Sequence, residues 1–104
     1  MKKAVVYVHG IRAGDLMEEK SGRYLFIYDA DYSSEPVSLT MPSSHKKYSF
    51  LDFPPFFEGL LPEGIMLEGL LKINKIDKKD YFSQLMAVGN DMVGAVTVKA
   101  ESDE

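Results

Sequence analysis

The sequence predicts an α+β fold, a largely antiparallel sheet with about three helices packed on one face. Three observations support this. Strand-like segments joined by short turns fill the first half, helical periodicity replaces them after Asp52, and an apolar, β-branched segment over 93–98 closes the sheet. The length of 104 residues fits a single domain, 1–104, whose acidic end over 100–104 we expect to fray.

The first three strands are predicted to form a meander. Apolar and partly β-branched residues run over 4–8, and two glycines then bracket a turn that leads into a second strand over 12–17. A charged turn separates this strand from a third over 23–28, where aromatic residues alternate with Leu25 and Ile27. Both faces of the third strand should therefore be at least partly covered.

Two further strands are predicted before the helices begin. Val37, Leu39 and Met41 alternate with polar residues between two prolines, which indicates a short, half-buried strand over 37–41. Another short strand is expected over 45–50.

Three helices are predicted in the second half. Phenylalanines and leucines over 53–61 recur at helical spacing behind Asp52, a plausible N-cap, and a proline and a glycine follow them. A second helix is predicted over 65–73. The third runs over 78–88 behind Asp77 as N-cap.

Composition and charge narrow the function. The formal net charge of −4 argues against direct nucleic-acid binding, which depends on clustered Lys and Arg. The absence of cysteine excludes a disulfide framework and a thiolate nucleophile. No signal peptide or membrane-spanning segment is readable, so we expect a cytoplasmic protein without a membrane partner.

No residue pattern supports catalysis. His9 and His45 are too few and too far apart to indicate a metal site, and Ser43 and Ser44 beside His45 read more simply as a turn. The glycines that bound 89–94 lack the Gly-Lys-Ser/Thr ending of a phosphate loop. We therefore expect no enzyme activity, cofactor or metal. A small hydrolase would need a pocket with a perturbed acid or base, for which no constellation is visible.

The apolar segment over 53–71 is the most suggestive feature. Much of it must be core, yet one small sheet cannot easily cover every apolar group there. Whether Ile65, Met66 and their neighbours are buried or exposed as a contact patch is open at this stage.

Five ordered motifs resemble a known family. They are Gly14-Asp15-Leu16, then Gly22, Phe26 and Tyr28, then the segments over 36–42, 56–64 and 89–96, with Leu60-Leu61-Pro62-Glu63 and Gly94-Ala95-Val96 as the most specific parts. In this order they resemble the first N-terminal subdomain of HipA-type toxin kinases. That resemblance covers most of the chain.

The resemblance implies a binding function. In HipA kinases the subdomain precedes a long kinase core, whereas this sequence ends at Glu104, so the chain resembles HipS, the antitoxin of three-part systems with a HipT kinase and a HipB-like DNA-binding protein. The implied function is inhibition of a HipT-like Ser/Thr kinase, with a scaffold joining that kinase to the repressor as the alternative. The expected partner-binding residues are Gly59, Leu61, Pro62, Glu63, Gly64, Ile65 and Met66.

Overall fold

The computed structural model describes residues 2–89 and 94–100. The strands of this part are β1 (Lys2–Val8), β2 (Ile11–Glu18), β3 (Tyr24–Tyr28), β4 (Lys47–Phe50) and β5 (Val96–Ala100), and the helices are α1 (Pro55–Glu58), α2 (Gly64–Asn74) and α3 (Tyr81–Val88). The strands form one antiparallel sheet in the order β4-β3-β2-β1-β5. The predicted α+β class is confirmed. The expected fraying beyond residue 100 and the loop over 90–93 lie outside the described residues.

The β1–β2 hairpin turns through two residues with positive φ. His9 has φ 51° and Gly10 has φ 80°, the conformation that two-residue hairpins favour because it matches the twist of the flanking strands. The backbone N–H of His9 donates to the carbonyl of Ala95 at 2.8 Å. The turn is thereby tied to the segment that enters β5.

The core lies between the helix-facing side of the sheet and the helices. Phe57 from α1 and Phe82 and Leu85 from α3 are fully buried against it. The sheet and the loops contribute the other buried apolar side chains, among them Ala4, Val6, Val8, Leu16, Phe26, Tyr28, Val37, Met41 and Val98. On the opposite face of β3, Leu25 and Ile27 are half-buried, as the sequence predicted.

The predicted strand over 37–41 is wrong. Ser38 and Met41 form only an isolated bridge, with a 3.0 Å hydrogen bond from the Met41 N–H to the Ser38 carbonyl, and Leu39 at the tip is 94% exposed. The buried Tyr28 hydroxyl provides hydrogen bonds that a neighbouring strand would otherwise provide. It donates to the Met41 carbonyl and accepts from the Val37 N–H at 2.9 Å. Burial raises the pKa of Tyr28, which keeps this hydroxyl protonated and able to donate.

Two helix boundaries also differ from the prediction. The first helix is a single turn over Pro55–Glu58, and Pro54 rather than Asp52 precedes it. A longer helix is not needed, because this one turn already buries Phe57 fully in the core. The third begins at Tyr81 with Asp80, not Asp77, as its N-cap. Residues 77–80 instead form a turn. The buried Gln84 amide holds this turn by donating to the carbonyls at 77 (3.2 Å) and 78 (2.9 Å).

Gly14 allows β2 and β3 to approach closely. A Cβ atom at this position would lie 2.2 Å from the Ile27 carbonyl oxygen and 2.9 Å from the Tyr28 Cα, both of which are backbone atoms that cannot rotate away. We therefore expect Gly14→Ala to lower the free energy of unfolding by about 3 kcal/mol, measured by urea denaturation. A change below about 0.5 kcal/mol would contradict this account of the strand pair.

The Asp80 cap predicts a pH-dependent contribution to stability. Burial alone would raise the pKa of Asp80, but hydrogen bonds from the Ser83 hydroxyl (2.7 Å) and N–H (3.2 Å), with the charge of Lys2, outweigh it and lower the pKa below its ordinary 3.8. The carboxylate therefore stabilises the fold above about pH 4, and this contribution disappears as the pH falls through the lowered value.

We expect Asp80→Ala to lower the free energy of unfolding by about 1 kcal/mol at neutral pH. Urea denaturation of the wild type and the variant should show this difference shrinking below about pH 4. Asp31→Ala, a change at an exposed loop carboxylate, controls for net charge. A difference that stayed constant or grew in acid would show that Asp80 does not act through its ionised cap.

Candidate partner-binding surface

A tight turn connects α1 to α2. The N–H groups of Gly59 and Leu61 donate to the carbonyls of Pro55 (3.0 Å) and Glu58 (3.1 Å), which closes the last turn of α1. Pro62 follows and offers no N–H to extend it. The backbone is then extended at Glu63 and takes φ 60° at Gly64, where α2 begins.

The seven residues expected to bind a partner occupy this turn and the start of α2. Gly59, Glu63, Gly64, Ile65 and Met66 are exposed, and Leu61 and Pro62 are half-buried. Ile65 is 85% exposed and Met66 76%. The structure thus answers the open question about these two side chains, while their binding role stays a prediction.

The residues behind the turn divide into two groups. Leu61 and Pro62 line a recess with Glu58, Glu63, Leu67, Tyr81 and Gln84. Leu61 also packs against the core, so it positions the turn more than it presents a contact. Ile65 and Met66 point away from this packing.

One side of α2 forms a continuous apolar strip, which we call the α2 outer face. At 3.6 residues per turn, Ile65, Met66, Gly69 and Ile73 share this side of the helix. Ile73 is 82% exposed. The adjoining groove is lined by Ile65, Glu68, Gly69, Leu71 and Lys72, which places one acidic and one basic side chain at its rim.

Gly69 and Ile73 were not among the residues that the sequence predicted to bind a partner. The sequence contains the signal, because Gly69 and Ile73 follow Ile65 at successive intervals of four and therefore share its side of the helix. The contact expected from the sequence covered only the turn around Pro62 and the start of α2. The structure extends the apolar surface along the whole helix.

The opposite side of α2 faces the rest of the molecule without being fully covered. Leu67, Leu70 and Leu71 are half-buried, and α2 contains no buried residue. Its N-terminus lacks a side-chain cap. The helix ends at Lys75, whose φ of 54° is left-handed and whose N–H bonds to the Leu71 carbonyl. An amphipathic surface helix normally directs its polar residues to solvent, whereas α2 exposes Ile65, Met66 and Ile73 as well as Glu68 and Lys72.

The two histidines that the structure describes have separate surroundings. His9 is paired with Glu35 at 3.0 Å, and the His45 ring lies against Tyr48 with centroids 5.5 Å apart. Within residues 2–89 and 94–100, no group of three His, Cys, Asp or Glu side chains comes together as a metal site. In the same ranges, no helix has the length and apolar character that a membrane span requires.

Comparison with known proteins supplies the context for this surface. The model of a family described as the HipA N-terminal domain matches residues 4–99. A Haemophilus influenzae protein with the name "Uncharacterized protein" is 31% identical over 101 residues, which span 97% of this chain and 94% of that protein. A solved structure titled "N-terminal domain of HipA toxin" superposes with a TM-score of 0.79 at 28% identity, covering 100% of this chain and 96% of that one.

The fold and surface therefore define an α+β domain of the kind found at the N-terminus of a toxin. The chain belongs to the HipA N-terminal domain family.

Gly69 weakens α2 without serving the fold. A Cβ at this position would meet no atom within 4 Å, and glycine inside a helix costs about 1 kcal/mol relative to alanine. We expect Gly69→Ala to raise the free energy of unfolding by up to about 1 kcal/mol, the opposite sign to Gly14→Ala. Urea denaturation of both variants measures the pair. Destabilisation by Gly69→Ala would mean that α2 packs more tightly than its exposure indicates.

Proposed function

We propose that this chain is a HipS-type antitoxin that binds and inhibits a HipT-like Ser/Thr kinase, with the α2 outer face as the main contact. Membership of the HipA N-terminal domain family supports the toxin–antitoxin context. The observation that carries the proposal is the strip of Ile65, Met66 and Ile73, each more than three-quarters exposed.

The energetics of the α2 outer face favour binding by another protein. Fully burying an Ile or Met side chain contributes roughly 1.5–3 kcal/mol, so three of them supply a substantial part of a binding free energy. Association offsets some of this through lost translational and rotational freedom. Glu68 and Lys72 at the rim add charge complementarity, which contributes more to the choice of partner than to the affinity.

The other functional assignments follow from the same proposal. The chain acts without a cofactor or metal and is not an enzyme, in keeping with a match to a toxin's N-terminal domain. It works in the cytoplasm beside the kinase. A HipB-like DNA-binding protein joins through the kinase or through this chain, and with a net charge of −4 the chain itself does not bind nucleic acid.

The test is a double substitution, Ile65→Asp with Met66→Asp, in a complex with the kinase encoded beside this chain. Two charges in a desolvated apolar contact should weaken binding about 100-fold or more and restore kinase activity. Both side chains are exposed, so the free energy of unfolding should change by no more than about 0.5 kcal/mol. Binding is measured by calorimetry and kinase activity by phosphate transfer to substrate.

Ile11→Asp is the matched control, because Ile11 is exposed at the start of β2 and lies outside the α2 outer face. It should bind and inhibit like the wild type. Wild-type affinity in the double variant would remove the α2 outer face as the contact. The antitoxin assignment requires a neighbouring reading frame that encodes a kinase without this subdomain. If no such reading frame were found, the assignment would be removed.

The alternative is a scaffold that joins the kinase to a HipB-like repressor with little direct inhibition. Exposed Leu39 and Leu51, which lie outside the α2 outer face, favour a second contact of this kind. Kinase assays with this chain and without the repressor separate the two functions. Inhibition supports the antitoxin, whereas tight binding with unchanged kinase activity supports the scaffold.

A further inference from the structure

β4 is one outer strand of the sheet and leaves part of its backbone unpaired. The Tyr28 N–H donates to the Lys46 carbonyl at 2.8 Å, which fixes the alternation of the β3–β4 ladder. The backbone N–H and C=O groups of Tyr48 therefore point towards β3, while those of Lys47 and Ser49 point away from it. In the described part of the chain, no other strand pairs with this edge.

An apolar recess adjoins this edge on the helix-facing side. It encloses about 300 Å³ and is lined by Thr40, Met41, Tyr48, Phe50, Pro54, Pro55 and Phe56. Tyr48 and Phe50 contribute their side chains directly from β4, because their partners Phe26 and Tyr24 lie on the helix-facing side. A side chain on an added strand opposite Tyr48 would point into the recess.

The charge at the edge indicates what would lie beside that apolar side chain. Lys47 is exposed, is one residue from Tyr48, and points to the other face of the sheet. No ion pair with a described acidic residue is formed by Lys47. A residue opposite Lys47 on an added strand is therefore complementary when it is acidic.

We propose that the β4 edge binds an extended segment of another protein by strand addition, with an apolar side chain in the recess and an adjacent acidic residue opposite Lys47. Backbone hydrogen bonds to Lys47 and Ser49 supply affinity, and the recess and the lysine supply the sequence preference. This site shares no residue with the α2 outer face, so the inference is independent of the proposed function. A lysine on the edge disfavours pairing with a second copy of the chain.

The probe is the palindromic peptide acetyl-Asp-Leu-Thr-Leu-Asp-amide, which presents the same order of side chains in either strand direction. Titration into the ¹⁵N-labelled chain should shift the amide resonances of Lys47 and Ser49 most strongly. The amide resonances of Tyr48, Phe50 and Phe56 should shift over the same range of peptide concentration. An absence of shifts at Lys47 and Ser49 in millimolar peptide would overturn the proposal. Shifts confined to α2 would also overturn it.

Ser49→Pro tests the backbone contribution, with Ser49→Ala as the matched control that keeps the N–H. Proline is tolerated on an edge strand where its missing N–H faces outward. We expect Ser49→Pro to weaken peptide binding about tenfold relative to Ser49→Ala, through the loss of one hydrogen bond. Equal affinities of the two variants would contradict strand addition.

Methylated peptides test the same hydrogen bonds on the unaltered protein, which covers the case in which Ser49→Pro fails to fold. N-methylation at the Asp and Thr positions blocks an antiparallel strand, and N-methylation at the two Leu positions blocks a parallel one. Binding should be lost with one set and retained with the other. Retention with both sets would exclude backbone pairing and overturn the proposal.

Discussion

The burial of three phenylalanines organises this molecule. Phe26 from β3, Phe57 from α1 and Phe82 from α3 are fully buried, and the first two rings lie 5.9 Å apart. Because they fill the space beneath the sheet, a single turn of α1 is enough to deliver Phe57. α2 contributes no buried residue to this core. The apolar strip on α2 therefore lies outside the packing that the three phenylalanines organise.

The helices that follow one another along the chain are held very differently. α3 begins at a charged cap, where Asp80 binds Ser83 and lies 3.6 Å from Lys2 of β1, and the buried Gln84 fixes the turn before it. α2 has no side-chain cap and contains Gly69. Local opening free energies track such differences. The proposed partner surface thus belongs to a helix that has no side-chain cap and no buried residue.

Elements stabilised by local interactions could be predicted from the sequence, and those fixed by distant groups could not. The β1–β2 hairpin and α2 follow from alternation and helical spacing. The apparent strand over 37–41 is a turn, because the hydroxyl of Tyr28 on β3 hydrogen-bonds to the backbone of Val37 and Met41. The helical period places Ile73 on the same side of α2 as Ile65, but the period alone does not say which side of the helix is exposed. The recess at β4 could not be predicted, because it combines three separate segments.

The two proposed surfaces would recognise different properties of a partner. The α2 outer face offers side chains, so its specificity depends on shape and on the rim charges, and a single charged substitution can disrupt it. The β4 edge offers backbone groups, which accept many sequences and select only at the recess and at Lys47. The two proposed surfaces share no residue. A domain with this arrangement would present its helix to a folded protein and its sheet edge to an extended segment.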